Sequence, residues 1–185
     1  SFSSALALNS YSGSLGIQGY RANSDTVFFN VSSIYETVRY LDQEFTCEEN
    51  YCVLELPEDY LEGGSHNYAI EEIENATIFA TTDVPLIVDE KIESLIFDTE
   101  IVESNLSITY TVLDTAYAGS VRCSGIDKVE LYVDDVLTLT DEVNASQEEC
   151  SFTNTLNIQK SGDLTLRLTA YDNIGNSLDS ENHSL

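Results

Sequence analysis

Hydrophobic and polar residues alternate along most of this chain in short runs rich in Val, Ile, Thr, Tyr and Phe, the pattern of half-buried strands. The first series covers Val27 to Val31, Thr37 to Leu41, Cys52 to Leu56, Asn67 to Ile73 and Thr77 to Ala80. A second covers Leu106 to Leu113, Lys128 to Val133, Val136 to Thr140, Thr153 to Ile158 and Leu164 to Tyr171. In the last run Leu164, Leu166, Leu168 and Ala170 point one way, and Thr165, Arg167, Thr169 and Tyr171 point the other. Little of the chain carries a helical period. Pro57 is expected just past a strand end, and Pro85 at a junction or on an edge strand.

The two series repeat one another. Gly64 follows Cys52 by 12 residues, and Gly162 follows Cys150 by 12. Asn75 follows Gly64 by 11, and Asn173 follows Gly162 by 11. Upstream, the segments 36–42 and 127–134 share their character. The chain therefore predicts two copies of one β domain, 1–84 and 85–185, with the seam near Thr82-Asp83-Val84-Pro85. Each copy runs strand B, strand C, a hairpin to C′, strand E, a Gly-containing turn, strand F and a polar turn. That order predicts an all-β chain of two tandem Greek-key sandwiches of the immunoglobulin kind.

The second copy's end, Ser161-Gly162-Asp163-Leu164-Thr165-Leu166-Arg167-Leu168-Thr169-Ala170-Tyr171-Asp172-Asn173-Ile174-Gly175-Asn176, resembles the end of many prokaryotic Ig-like repeats. There a Gly turn feeds strand F and an Asp-x-x-Gly-Asn turn joins F to G. Gly63 to Ile70 looks like its degenerate counterpart, and Val129 to Val136 resembles the strand C hairpin of the same family. The resemblance is to tandem Ig-like or fibronectin III-like cell-surface domains, and it implies a prokaryotic, archaeal cell surface. Antibody-type domains are a poor match, because the chain has no Trp and neither expected cysteine pair sits at the B–F position.

Four cysteines, Cys47, Cys52, Cys123 and Cys150, allow three disulfide connectivities. Cys47–Cys52 with Cys123–Cys150 is the expected one, since each bridge then lies within one copy. A C-x4-C spacing followed by single distant cysteines does not suit zinc. Bridged cysteines imply an oxidising compartment. Five N-glycosylation sequons, at Asn30, Asn75, Asn105, Asn144 and Asn182, exceed the roughly 2.6 that 13 Asn and 37 Ser plus Thr give by chance. The chain contains no Met, so it reads as a processed product or part of a longer one, its signal peptide gone.

Charge narrows the partners. Asp and Glu number 33 against 7 Lys and Arg, for a formal net charge of −26. A nucleic-acid binder needs a basic footprint, so nucleic acid is excluded as a partner. Docking on anionic lipid is disfavoured too, and no run approaches the length of a membrane helix, so no membrane insertion is expected. The acidic pairs Glu48-Glu49, Glu58-Asp59, Glu71-Glu72 and Asp134-Asp135 are scattered, with no EF-hand loop, so no metal or other cofactor is expected. No catalytic residues are assigned. His66 reads as a strand residue at a core margin, His183 lies in the polar tail, and no G-x-S-x-G elbow, HExxH, P-loop or Rossmann glycine set occurs. Paired carboxylates such as Glu71 and Glu74 lack any sign of the cleft that glycoside hydrolysis needs.

The two ends of the chain suggest how copies could join. Three strand-like segments precede the first strand C: Phe2 to Leu8, Leu15 to Tyr20 and Val27 to Val31, one more than the fold needs. The segment 177–185 makes a weak closing strand G. A surplus strand and a weak edge invite head-to-tail donor-strand addition, with Phe2, Ser4, Leu6 and Leu8 facing inward. The plainer reading makes Phe2 to Leu8 strand A and Leu15 to Tyr20 strand A′ or a loop. The expected function is a structural subunit of an extracellular filament, pilus or surface layer, binding copies of itself and carrying glycans. The alternative is an adhesin or ligand-binding module that uses the disulfide loop around Tyr51.

Overall fold

The computed structural model describes residues 7–11, 20–22, 27–32, 37–49, 51–60 and 62–185. Contacts divide the chain into two compact units, Ser1–Val88 and Asp89–Leu185. The regular structure among the described residues is strand, apart from one 3-10 turn at Glu58–Tyr60.

In the first unit β1 (Ala7–Tyr11), β3 (Val27–Ser32) and β6 (Tyr51–Leu56) form one antiparallel sheet, with β3 in the centre. The other sheet runs β2 (Tyr20–Ala22), β8 (Thr77–Asp89), β7 (Gly64–Glu74), β4 (Thr37–Tyr40) and β5 (Gln43–Thr46). These are strands A-B-E facing A′-G-F-C-C′. The residues before strand C are thus shared between the sheets: β1 pairs with β3, and β2 lies beside β8. The core comes from the alternate positions of each strand: Val27 and Phe29, Val38 and Tyr40, Leu54 and Leu56, Tyr68 and Ile70, then Val84, Leu86 and Val88. Phe29 meets Tyr40 edge-on, with ring centroids 5.7 Å apart.

The seam falls between Val88 and Asp89, beyond the predicted 84/85. β8 continues through Pro85, which pairs with Asn67, and its Leu86 and Val88 are buried in the first core. The alternation past the proline binds those residues to the first unit.

The second unit repeats the plan. β9 (Ile92–Val102), β10 (Asn105–Asp114) and β13 (Ser151–Gln159) form strands A-B-E, with β10 central. β12 (Val136–Glu142), β11 (Ile126–Val133), β14 (Thr165–Asp172) and β15 (Ser177–Asp179) form C′-C-F-G, and β16 (His183–Ser184) also pairs with β14. Leu106, Ile108, Tyr110 and Val112 of β10 face Val129 and Leu131 of β11 and Leu166, Leu168 and Ala170 of β14 in one core. The chain is therefore two Greek-key β-sandwiches with the strand arrangement of fibronectin III-like domains.

The segment 177–185 closes the second sandwich better than its composition suggested. β15 and β16 lie against β14, and Leu164 and Leu185 exchange both backbone hydrogen bonds. Strand pairing uses only backbone groups, and Leu178 and Leu185 anchor the segment on the core without β-branched residues.

Candidate functional site

The most unusual polar group in the second sandwich sits where its strands end. Along β10 the inward positions run Leu106, Ile108, Tyr110, Val112 and then Asp114, which is fully buried. Along β14 they run Leu166, Leu168, Ala170 and then Asp172, which is 3% exposed. Asp89, the last residue of β8 and the first of this unit, is fully buried beside them. The alternation that fills the core thus carries two carboxylates to its rim, one from each sheet. One carboxylate oxygen from each of Asp89, Asp114 and Asp172 lies within 4.8 Å of the other two.

Two turns hold this cluster. In the loop before β11, the Ser124 amide donates to Asp89 Oδ2 (3.2 Å) and the Gly125 amide to Asp114 Oδ2 (3.1 Å). Ser124 Oγ donates to the same Asp114 oxygen (3.4 Å). In the turn after β14, the amides of Ile174 and Asn176 donate to Asp172 Oδ1 (3.1 and 2.8 Å), and Asn176 Nδ2 donates to Asp172 Oδ2 (2.8 Å). Asn176 Nδ2 also donates to the Asp89 carbonyl (2.9 Å).

Gly125 has no freedom to be another residue here. Its φ is +89°, and a Cβ would lie 2.6 Å from the Ala145 carbonyl oxygen and 2.8 Å from Asn173 Nδ2. Asn173 Nδ2 fastens the two loops by donating to the carbonyls of Ser124 and Ala145.

Two carboxylate oxygens are left over. Asp89 Oδ1 and Asp114 Oδ1 are buried with no hydrogen-bond partner. Among the described residues, no Lys or Arg pairs with any of the three aspartates. Burial, and then repulsion from Asp172, pushes the Asp89 carboxyl up to about 6. Burial, then Asp89 and Asp172, pushes Asp114 up to about 8. Burial raises Asp172 as well, opposed by its bonds from Asn176 and Ile174. Such a group can hold protons or a cation with oxygen-only coordination.

The residues singled out in the sequence lie elsewhere. Cys47 bonds to Cys52 between β5 and β6, and Cys123 bonds to Cys150, bridging the loops before β11 and β13. The Cys47–Cys52 loop borders an open concavity of about 720 Å³ lined by Phe45, Thr46, Glu48, Glu49, Val53 and Leu54. Of the sequon asparagines, Asn75, Asn105, Asn144 and Asn182 are exposed, and Asn30 lies in β3. Leu8 pairs with Val31 of the same chain, whereas Phe2, Ser4 and Leu6 lie outside the described residues. His66 is a partly exposed β7 residue whose ring stacks on Tyr68, and His183 lies edge-on to Phe97.

The sequence reading assigned no metal ligand and so did not single out the aspartate cluster. A signal was available. Asp114 and Asp172 occupy inward positions of two strong strand alternations, where an apolar residue is expected.

Comparison with known proteins finds distant structural likeness only. No family model matches the chain. No curated protein matches it either. Among solved structures, fibronectin(III)-like modules of Clostridium thermocellum CbhA are 14% identical, with 97% of this chain and 90% of that one covered and a TM-score of 0.42. The Yersinia pseudotuberculosis adhesin InvE is 12% identical over 91% of this chain and 56% of its own, with a TM-score of 0.31. A glycosyl hydrolase family 2 member from Bacteroides cellulosilyticus is 16% identical over 84% of this chain and 24% of its own, with a TM-score of 0.27. Likeness at this level assigns neither an activity nor a ligand to this chain.

Proposed function

We propose that this chain is a non-catalytic building element of an extracellular surface assembly, a filament, pilus or surface layer, joined to copies of itself by non-covalent contacts. The observation that carries the reading is that each sandwich holds its own disulfide. Disulfides persist where the surroundings are oxidising, which supports a location outside the cytosol. Four exposed sequon asparagines offer sites for glycans.

Donor-strand joining is the finer form of this reading. Among the described residues β1 is the end strand of its sheet, paired along β3. The same segment of a neighbouring copy could take that place, and repeated head-to-tail exchange gives a fibre. Negative-stain images of the purified chain are expected to show polymers. Deleting residues 1–9 is expected to abolish them; polymers that persist after the deletion remove strand donation. Short single or paired particles in the undeleted chain remove the assembly reading itself.

That second outcome favours a binding module. The concavity beside the Cys47–Cys52 loop supports it, because a stapled loop on a sandwich presents a fixed surface to a ligand.

A further inference from the structure

We propose that Asp89, Asp114 and Asp172 form a calcium site at the rim of the second sandwich. Three observations meet there. The three carboxylates are buried and converge, with one oxygen of each within 4.8 Å of the others. Oxygens gathered this closely can share one cation, and a buried cage of three carboxylates suits calcium, which takes many protein oxygens, better than magnesium, which keeps several of its waters. Second, Asp89 Oδ1 and Asp114 Oδ1 are buried without a partner, a costly arrangement unless a cation or proton satisfies them. Third, no Lys or Arg among the described residues balances the cluster.

The donor chemistry selects the ion. The group offers oxygen alone, and all four cysteines are locked in disulfides, so soft metals have no thiolate here. The surrounding hydrogen bonds fix the ligands. Ser124 and Gly125 hold Asp89 and Asp114 by their Oδ2 atoms, leaving each Oδ1 unengaged. Asn176 and Ile174 orient Asp172 from the other side. Water and carbonyl oxygens would complete the six to eight ligands calcium takes. The site is independent of how copies of the chain assemble.

The test is a calcium titration of the full chain after chelator treatment, in 0.15 M KCl to suppress loose binding by the acidic surface. One saturable site is expected, with a rise in melting temperature that magnesium at equal concentration does not reproduce. Asp114→Asn is expected to weaken the site by on the order of a hundredfold or more. Glu48→Gln with Glu49→Gln, an exposed pair in the other sandwich, is expected to leave it intact. Should the Asp114 variant fail to fold, amide NMR of the wild-type chain decides. Calcium must shift the amides of Ser124, Gly125, Ile174 and Asn176, which donate to these carboxylates. Shifts spread over the surface with those four unmoved, or no saturable binding, would overturn the proposal.

Discussion

Asp114 shows what one residue type does at a core position. A Val or Leu at the end of β10 would extend the row from Leu106 to Val112, but the carboxylate instead brings charge to a place with no compensating side chain. Without a metal the cluster relieves itself by holding protons, and that has a direction in pH. Unfolded aspartates release their protons near pH 4. In the folded chain Asp89 holds its proton to about 6 and Asp114 to about 8. The folded state therefore binds more protons over that window. Stability from these groups is fully present below pH 4 and is lost as pH rises through 6 and 8. Chelator-treated protein is expected to have a higher urea midpoint at pH 5 than at pH 8. Asp114→Asn, which removes one titrating group, is expected to flatten the difference. An equally steep fall in the variant would locate the dependence in other carboxylates.

At the scale of elements, the bridges should differ in weight. Cys47 and Cys52 are 5 residues apart and Cys123 and Cys150 are 27 apart. Loop entropy gives about 2 kcal/mol for the first and about 3.5 kcal/mol for the second. Replacing the second pair by Ser is expected to cost the more in denaturant unfolding of its sandwich; equal losses would point to local packing in place of chain entropy. Which elements were legible follows from the same physics. Strands such as β10 and β14 have one face in the core, so burial writes their alternation into the residue types. β9 was not anticipated. It pairs with β10 along its length, yet only Ile92 and Leu95 are buried, while Ile96 is 66% and Val102 59% exposed. An edge strand is held by backbone hydrogen bonds, which leave little trace in side-chain pattern. β5, expected as strand C′, had no legible bounds for a similar reason. It is four residues long and mostly exposed, and it follows a turn in which Leu41 and Asp42 both take positive φ without the usual glycine. The aspartate cluster depends on contacts between residues far apart in the chain, and only the inward phase of Asp114 and Asp172 hinted at it.

For the whole molecule, net charge governs how copies meet. At −26 two chains repel, and few cations are free to bridge them. Arg39, Lys128 and Arg167, three of the seven basic residues, already pair within the chain with Glu71, Glu130 and Asp179. The proposed assembly would then rest on contacts that are insensitive to charge, such as backbone pairing along a sheet edge or apolar burial, with repulsion as the opposing force. Salt acts on the repulsion alone. The screening length shrinks from about 30 Å at 0.01 M to about 8 Å at 0.15 M. The polymer fraction, measured by sedimentation and checked in negative stain, is expected to rise from 10 mM to 0.5 M KCl. Polymers that dissolve as salt rises would mean that copies are held by ion pairs, and the cations for them would have to come from the few basic residues outside those three pairs.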